Sequence, residues 1–248
     1  MRVDSQKLDV CYNIQTSVDA KKHLIVDYDV INNSTDHHQL TTDAKAAKQT
    51  LGVDRLEVLS DKGFYVANDL KDCEEAGITV FMPIPAFNPT KNVGVPEPEF
   101  ASERFVYDAV KDVYVCPAGR ELGFWKCSFK GKPESGRRYR TGACVDCSLR
   151  SRCTRNKLGR VMVRWDYQGA VDRLRARLES SDGKKKLRLR RMLAEHPWTM
   201  KRAFNQGYLL LKGLRKVKGE VGFTMLAYNM KRAINILGVG TLIALVKA

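Results

Sequence analysis

The stretch CYNIQTSVDAKKHLIVDYDVI (residues 11–31) decides the fold class. Its two halves, Cys11 to Val18 and His23 to Ile31, set apolar and β-branched residues at strand length, and the polar Asp19-Ala20-Lys21-Lys22 between them reads as a turn. The pair predicts an antiparallel hairpin. Working outward, Leu40 to Leu51 has helical spacing and stops at Gly52, and Leu56 to Leu59 is a short apolar strand running straight into Ser60-Asp61-Lys62-Gly63. Roughly Ala67 to Ala76 predicts a second helix, ended by Gly77, and Ile78 to Met82 another strand before Pro83 and Pro85. A hairpin followed by strand–helix–strand makes an α/β layer with a mixed sheet.

Beyond this layer the chain changes character. Pro83, Pro85, Pro89, Pro96 and Pro98 exclude long regular structure over 83–100. Residues 104–165 carry short aromatic and β-branched runs with five of the seven cysteines, which predicts a small β-rich insertion. From Tyr167 onward the pattern is helical: Ala170 to Leu178, Lys184 to about Ala194, Gly207 to Val217 and Phe223 to Leu237. The expected organisation is therefore an α/β first part over 1–83, a cysteine-bearing insertion over 84–166, and a helical second part of the α/β domain over 167–248.

The 248 residues are 44% hydrophobic and 29% charged, enough for a sizeable core and unlike a disordered or collagen-like chain. The net charge of +15 is unevenly placed. Residues 1–100 hold 10 Lys+Arg against 16 Asp+Glu (net −6), and residues 101–248 hold 33 against 12 (net +21). A basic half of this strength points to a polyanion, with nucleic acid ahead of a membrane surface. The opening MRVDSQKLDV lacks the apolar core of a secretory signal, and the run Ile234 to Val246 is too short to span a bilayer and predicts a packed C-terminal helix. An odd cysteine count without a signal argues against a disulfide framework and for a reducing cytoplasm.

Two acids fall at strand ends, where an open α/β sheet builds its site: Asp19 after the first strand and Asp61 after Leu56–Leu59. Phosphodiester chemistry with two Mg²⁺ ions needs only a few carboxylates, which distant parts of a chain can supply. An Asp capping a turn is the alternative at each position. Cys144-x2-Cys147-x5-Cys153, with Cys116 in a CPAG turn, offers four thiolates for a tetrahedral structural Zn²⁺. Cys127 could replace one of them, and buried free thiols are the alternative. Lys126, Lys130, Lys132, Arg137, Arg138, Arg140, Arg150, Arg152 and Arg155, interspersed with Trp125, Phe129 and Tyr139, suit phosphate contacts and packing against DNA.

The segments YNIQTSVDAKKHLIV (12–26), LSDKGFY (59–65), YVCPAGREL (114–122), CVDCSLRSRC (144–153), EHPWTMKR (195–202) and the tail from Gly207 to Gly238 resemble the DDE transposases of bacterial insertion sequences. The resemblance is to the branch with a cysteine-bearing insertion between its second and third acids, and it covers nearly all of the chain in order. It implies a ribonuclease-H-like fold, a mixed sheet with flanking helices interrupted by that insertion. It also implies a triad of two Asp and one Glu falling on Asp19, Asp61 and Glu195, which would hold Mg²⁺ or Mn²⁺.

The same resemblance implies phosphate contacts by Arg191, four residues before the Glu, and by Lys201 or Arg202 after it. One helical turn separates Arg191 from Glu195, so an ordinary i,i+4 ion pair is the alternative. Pro197 predicts that the helix from Lys184 ends or kinks just after Glu195. Trp198 runs directly into Thr199 where many relatives carry a Gly, and relatives begin with a helical DNA-binding region ahead of the first catalytic strand, so an N-terminally truncated form is expected. The implied activity is Mg²⁺-dependent cleavage of transposon ends, followed by attack of the 3′-OH on target DNA. The implied partner is double-stranded DNA, bound by a homodimer or larger assembly in the bacterial cytoplasm, at the nucleoid and with no membrane. Two other readings stand beside it: a non-enzymatic, basic, zinc-stabilised DNA-binding remnant of a decayed element, and a host ribonuclease-H-like nuclease with no preference for terminal inverted repeats.

Overall fold

The computed structural model describes residues 2–4, 7–8, 11–85, 96–128, 135–193, 204 and 208–247. They fall into two compact units, Met1–Pro85 with Ala170–Ala248, and Ala86–Gly169.

The first unit opens with strands β1 (Arg2–Asp4) and β2 (Lys7–Leu8), paired antiparallel. Strands β3 (Asn13–Val18) and β4 (Ile25–Ile31) form the hairpin, in register from Asn13 opposite Ile31 to Val18 opposite Ile25. Helix α1 (Leu40–Leu51) buries Leu40, Ala44 and Ala47. Gly52 ends it at φ 63°, the left-handed conformation that lets its N–H return to the Gln49 and Lys48 carbonyls. Strand β5 (Leu56–Leu59), helix α2 (Ala67–Glu75) and strand β6 (Ile78–Phe81) follow, with β5 and β6 parallel. Among the described residues these strands make three separate two-stranded ladders. The sequence predicts one mixed sheet, but an apolar run fixes that a strand forms and not which strand lies beside it.

In the second unit, strands β7 (Val106–Asp108), β8 (Val113–Val115), β9 (Glu121–Ser128), β10 (Gly136–Arg140) and β11 (Val161–Trp165) form one antiparallel meander, with the one-turn helix α3 (Arg150–Cys153) before β11. Phe105, Tyr114, Leu122, Tyr139 and Met162 are its core. Asp112, at φ 53°, accepts the Tyr107 and Tyr139 hydroxyls at 2.6 and 2.7 Å and pairs with Arg137 at 2.6 Å. The hydroxyl donors, with the nearby guanidinium, hold its carboxyl below the usual range.

The chain then returns to the first unit through α4 (Gln168–Glu179), α5 (Ser181–Leu193), α6 (Leu214–Leu237) and α7 (Val239–Lys247). Helix α6 buries Val217, Val221, Met225 and Tyr228 against Ile25 and Val30 of the hairpin. The side chain of Asn229 bonds both the N–H and the carbonyl of Ile25 at 2.8 Å. Separate helices over 207–217 and 223–237 are expected from the sequence; the structure runs one helix from Leu214 to Leu237 through Gly219 and Gly222. A Cβ on Gly222 would overlap the Tyr28 hydroxyl, so this glycine permits close approach to the hairpin and does not end the helix. The expected packed C-terminal helix is split at Gly238 (φ 78°), and beyond it Val239, Ile243 and Leu245 are 57%, 50% and 62% exposed.

The elbow between α4 and α5 is closed on Gly183, where a Cβ would run into the carbonyl oxygen of Arg177 and stand 2.8 Å from the Leu178 Cα. Backbone cannot yield as a side-chain tip can. Gly183→Ala is therefore expected to destabilise the chain by about 1–3 kcal/mol in urea unfolding, despite the better helix propensity of Ala. A second prediction concerns Asp43 on α1. Burial first, then Asp29, Asp27 and Asp36, push its carboxyl up to about 7. An acid raised on folding weakens the fold as pH climbs from its unfolded value near 4 to its folded one near 7. Asp43→Asn should leave stability unchanged at pH 4 and raise it at pH 8, on the order of 1 kcal/mol after solvent screening, in paired thermal melts.

Candidate functional site

Asp61 follows β5 directly. Its carboxylate accepts the Lys62 N–H at 2.7 Å and meets Arg190 of α5 at 3.1 Å, both through Oδ1. Oδ2 has no protein partner among the described residues, and the side chain is 62% exposed. Lys186, one helical turn before Arg190, pairs with Glu57 of β5. One face of α5 thus lies along β5 and its C-terminal end. Arg191, the residue singled out in the sequence, is exposed about 100° round the helix from Arg190. Glu195, Lys201 and Arg202 lie outside the described residues.

Asp19 sits in the turn of the hairpin, where it accepts the Lys22 N–H at 2.6 Å and the His23 N–H through its carbonyl at 2.9 Å. The acid that comes beside the Asp61 loop is Asp36. Its Oδ2 stands 3.3 Å from where a Cβ on Gly63 would be, and its Oδ1 accepts Asn13 Nδ2 and Gln15 Nε2, each at 2.7 Å. Gln15, the nearer donor to the turn, is still four residues from Asp19, about 13 Å along a strand. The structure therefore brings Asp36 and the Asp61 loop together and leaves Asp19 at the far end of the hairpin. Asp36 lies within the segment between β4 and α1, five residues past the end of the strand, so the strand-end rule that selects Asp61 does not point directly to it. The sequence reading missed it because eight residues of polar loop blur where β4 ends.

In the second unit, Cys116, Cys144, Cys147 and Cys153 line one cavity of about 30 Å³, together with Phe100, Phe105, Leu122, Leu149 and Arg160. Cys127 is exposed on β9 and does not line it. Cys116 begins a turn in which Gly119 (φ 73°) returns its N–H to the Cys116 carbonyl at 2.8 Å and the Arg120 N–H points at the Cys116 Sγ at 3.3 Å. Cys144 ends a 3-10 turn whose preceding Thr141 hydroxyl accepts the Ala143 N–H, and Cys153 ends α3. Burial pushes the Cys153 thiol up, and the other three cysteines add to the shift against a lowering by Arg160. All four thiols are free. Among the described residues no three His, Cys, Asp or Glu side chains are already arranged as a metal site, here or at Asp61.

Several cations near the cavity already have partners. Arg152 pairs with Glu97 and Glu99 at 2.6 and 3.1 Å, and Arg137 with Asp112. Arg140 and Lys126 stack on Trp125, with the guanidinium carbon and ammonium nitrogen 4.0 and 4.2 Å from the ring centroid. No described helix is long and apolar enough to cross a membrane.

Comparison with protein families gives a match over part of the chain. Residues 115–234 fit the family described as "Transposase DDE domain". That stretch holds the four cavity cysteines, Arg191, Glu195, Lys201 and Arg202, and it excludes Asp19, Asp36 and Asp61. No curated protein and no solved structure matches the chain. Over residues 115–234, just under half of its length, the chain is similar to transposase DDE domains.

Proposed function

We propose that this chain is the catalytic region of a DNA transposase with a ribonuclease-H-like core, which cleaves transposon ends and joins the freed 3′-OH to target DNA. The observation that carries the reading is the family match across the segment containing Glu195, taken with α5, which brings Arg190 to Asp61 five residues before that Glu. Asp61 and Glu195 would hold Mg²⁺ or Mn²⁺. The exposed, half-engaged carboxylate of Asp61 fits such an ion, because hard oxygen donors that leave room for water suit Mg²⁺. When bound, the ion would activate the attacking oxygen and steady the leaving one.

The chain's own residues do the rest. Arg190 fixes the rotamer of Asp61, and Arg191, with Lys201 or Arg202, would hold the scissile phosphate or its neighbours. The basic second unit and the C-terminal helices would grip the duplex through its phosphates. On this reading the protein works as a homodimer or larger assembly on double-stranded DNA, at the nucleoid in the bacterial cytoplasm. A structural Zn²⁺ would be held by Cys116, Cys144, Cys147 and Cys153.

The resemblance assigns the first acid to Asp19. The placement of Asp36 beside the Asp61 loop favours a second reading, in which Asp36 takes that role. Two metal ions in one site lie about 4 Å apart, so their carboxylates must converge, and Asp36 is the acid that lies beside the Asp61 loop. The test is Mg²⁺-dependent nicking of end-containing oligonucleotides. Asp61→Asn should abolish cleavage in a chain that still folds; retained cleavage would remove Asp61 from the site. Asp36→Asn should lower cleavage by about 100-fold or more, as loss of several kcal/mol of charge stabilisation requires, with Asp19→Asn near wild type. The opposite ranking would return the role to Asp19. Binding without cleavage by the unaltered chain would support the DNA-binding remnant, and cleavage indifferent to end sequence the host nuclease.

A further inference from the structure

Arg160 is the one cation that lines the cysteine cavity with its charged group taken out of water. Its Nε is buried and has no hydrogen-bond partner, and the Glu103 carboxylate acts on it only at a distance, without an ion-pair contact among the described residues. Its Nη2 donates to the Ser102 hydroxyl at 3.1 Å, and the guanidinium carbon lies 5.2 Å above the ring of Phe105. A buried guanidinium with an idle N–H and no counter-ion in contact is costly, and such groups persist where something absent from the bare chain completes them. The other occupants of the cavity wall indicate what that is. Four thiols from three chain segments share it, its volume of about 30 Å³ admits one small ion, and it has no carboxylate lining. Four thiolates around one Zn²⁺ carry a net charge of −2, so this centre creates the negative charge that the guanidinium lacks.

We infer that Arg160 is a positioning residue of a tetrathiolate Zn²⁺ centre, balancing its negative charge and donating its idle Nε–H to a ligating thiolate. The inference rests on the proposal that the four cysteines hold zinc. Cys116 is prepared for such a role by the Arg120 N–H at its sulfur, the kind of donor that fixes a ligand's orientation from outside the metal shell. Gly159, immediately before Arg160, passes so close to Cys144 that a Cβ there would lie 2.5 Å from the Cys144 Cβ and 3.1 Å from its Sγ. Its φ of 84° lets the backbone turn at that contact, bringing Arg160 in over the cavity.

The experiment strips metal from the full chain with a chelator, then titrates Co²⁺ and Zn²⁺ against a chromophoric competitor. The unaltered chain should take one ion, with the thiolate-to-Co²⁺ charge-transfer absorption of a sulfur-ligated site. Arg160→Gln should weaken Zn²⁺ binding by about 10- to 100-fold, the usual cost of losing a group that supports a ligand. Arg160→Lys should recover most of that loss, and Ser102→Ala, which removes the hydrogen bond but not the charge, should bind as the parent does. If the unaltered chain binds no ion, the cysteine reading fails and this inference falls with it. If it binds and Arg160→Gln binds equally well, the inference alone is overturned. Failure of both Arg160 variants to fold in the presence of zinc would make the residue structural and overturn it likewise.

Discussion

The first unit exists because α6 closes on the hairpin. Val217, Val221, Met225 and Tyr228 bury themselves against Ile25 and Val30, and Asn229 bonds both backbone groups of Ile25 across 204 residues of sequence. Burial of each large apolar side chain is worth about 1.5–3 kcal/mol, so this contact outweighs any single ion pair in the unit. It also joins the two ends of a unit that the second unit interrupts. Such long sequence separation makes the closing step slow in folding terms, since loop entropy is lost before the contact forms. Helices α4 and α5 are held separately, by Arg173 and Arg177 on Glu74 and by Lys186 and Arg190 on Glu57 and Asp61.

How far the sequence reveals this depends on the range of the interaction. Helix α1 is legible to its last residue because Gly52 supplies a local stop that no packing overrides. The hairpin and the two short strands at 56–59 and 78–81 are legible for the same reason, each being an apolar run bounded by its own turn chemistry. Gly222 inside α6 does not stop the helix, because it serves a close approach to Tyr28 nearly two hundred residues away. The face of α5 is equally hidden. Sequence spacing says that Arg191 shares a side with Glu195, whereas the packed helix points Lys186 and Arg190 at β5. Spacing selects Cys116, Cys144, Cys147 and Cys153 but leaves Cys127 able to replace one of them. Cys127 is set apart only once β9 is seen to carry it to the exposed surface.

The uneven charge of the chain is, in part, an internal match. Glu74 of α2 is gripped by Arg173 and Arg177 of α4, and Arg177 also bonds the Val80 carbonyl at 2.9 Å. Lys186 meets Glu57, Arg190 meets Asp61, and Lys218 meets Asp29 at 2.7 Å. Each pair joins an acid from residues 1–100 to a cation from residues 101–248. The net −6 and +21 of the two halves therefore overstate what is left for a polyanion, because several of the cations are already holding the acidic layer.

These pairs differ in how much of each partner meets solvent. Arg177 and Glu74 are only 22% and 23% exposed and carry an additional backbone bond, so they belong to the fold. The Asp61 and Glu57 carboxylates are 62% and 54% exposed, but their cations are not, since the Arg190 and Lys186 side chains are 18% and 26% exposed. The Arg190 Nε is buried with no hydrogen-bond partner among the described residues. Removing Asp61 would therefore leave a largely desolvated guanidinium short of its charge partner, which costs far more than opening a pair on the surface. Arg190 and Lys186 thus hold α5 to β5 much as Arg177 holds α4, and the side of each pair that stays open to solvent is the carboxylate.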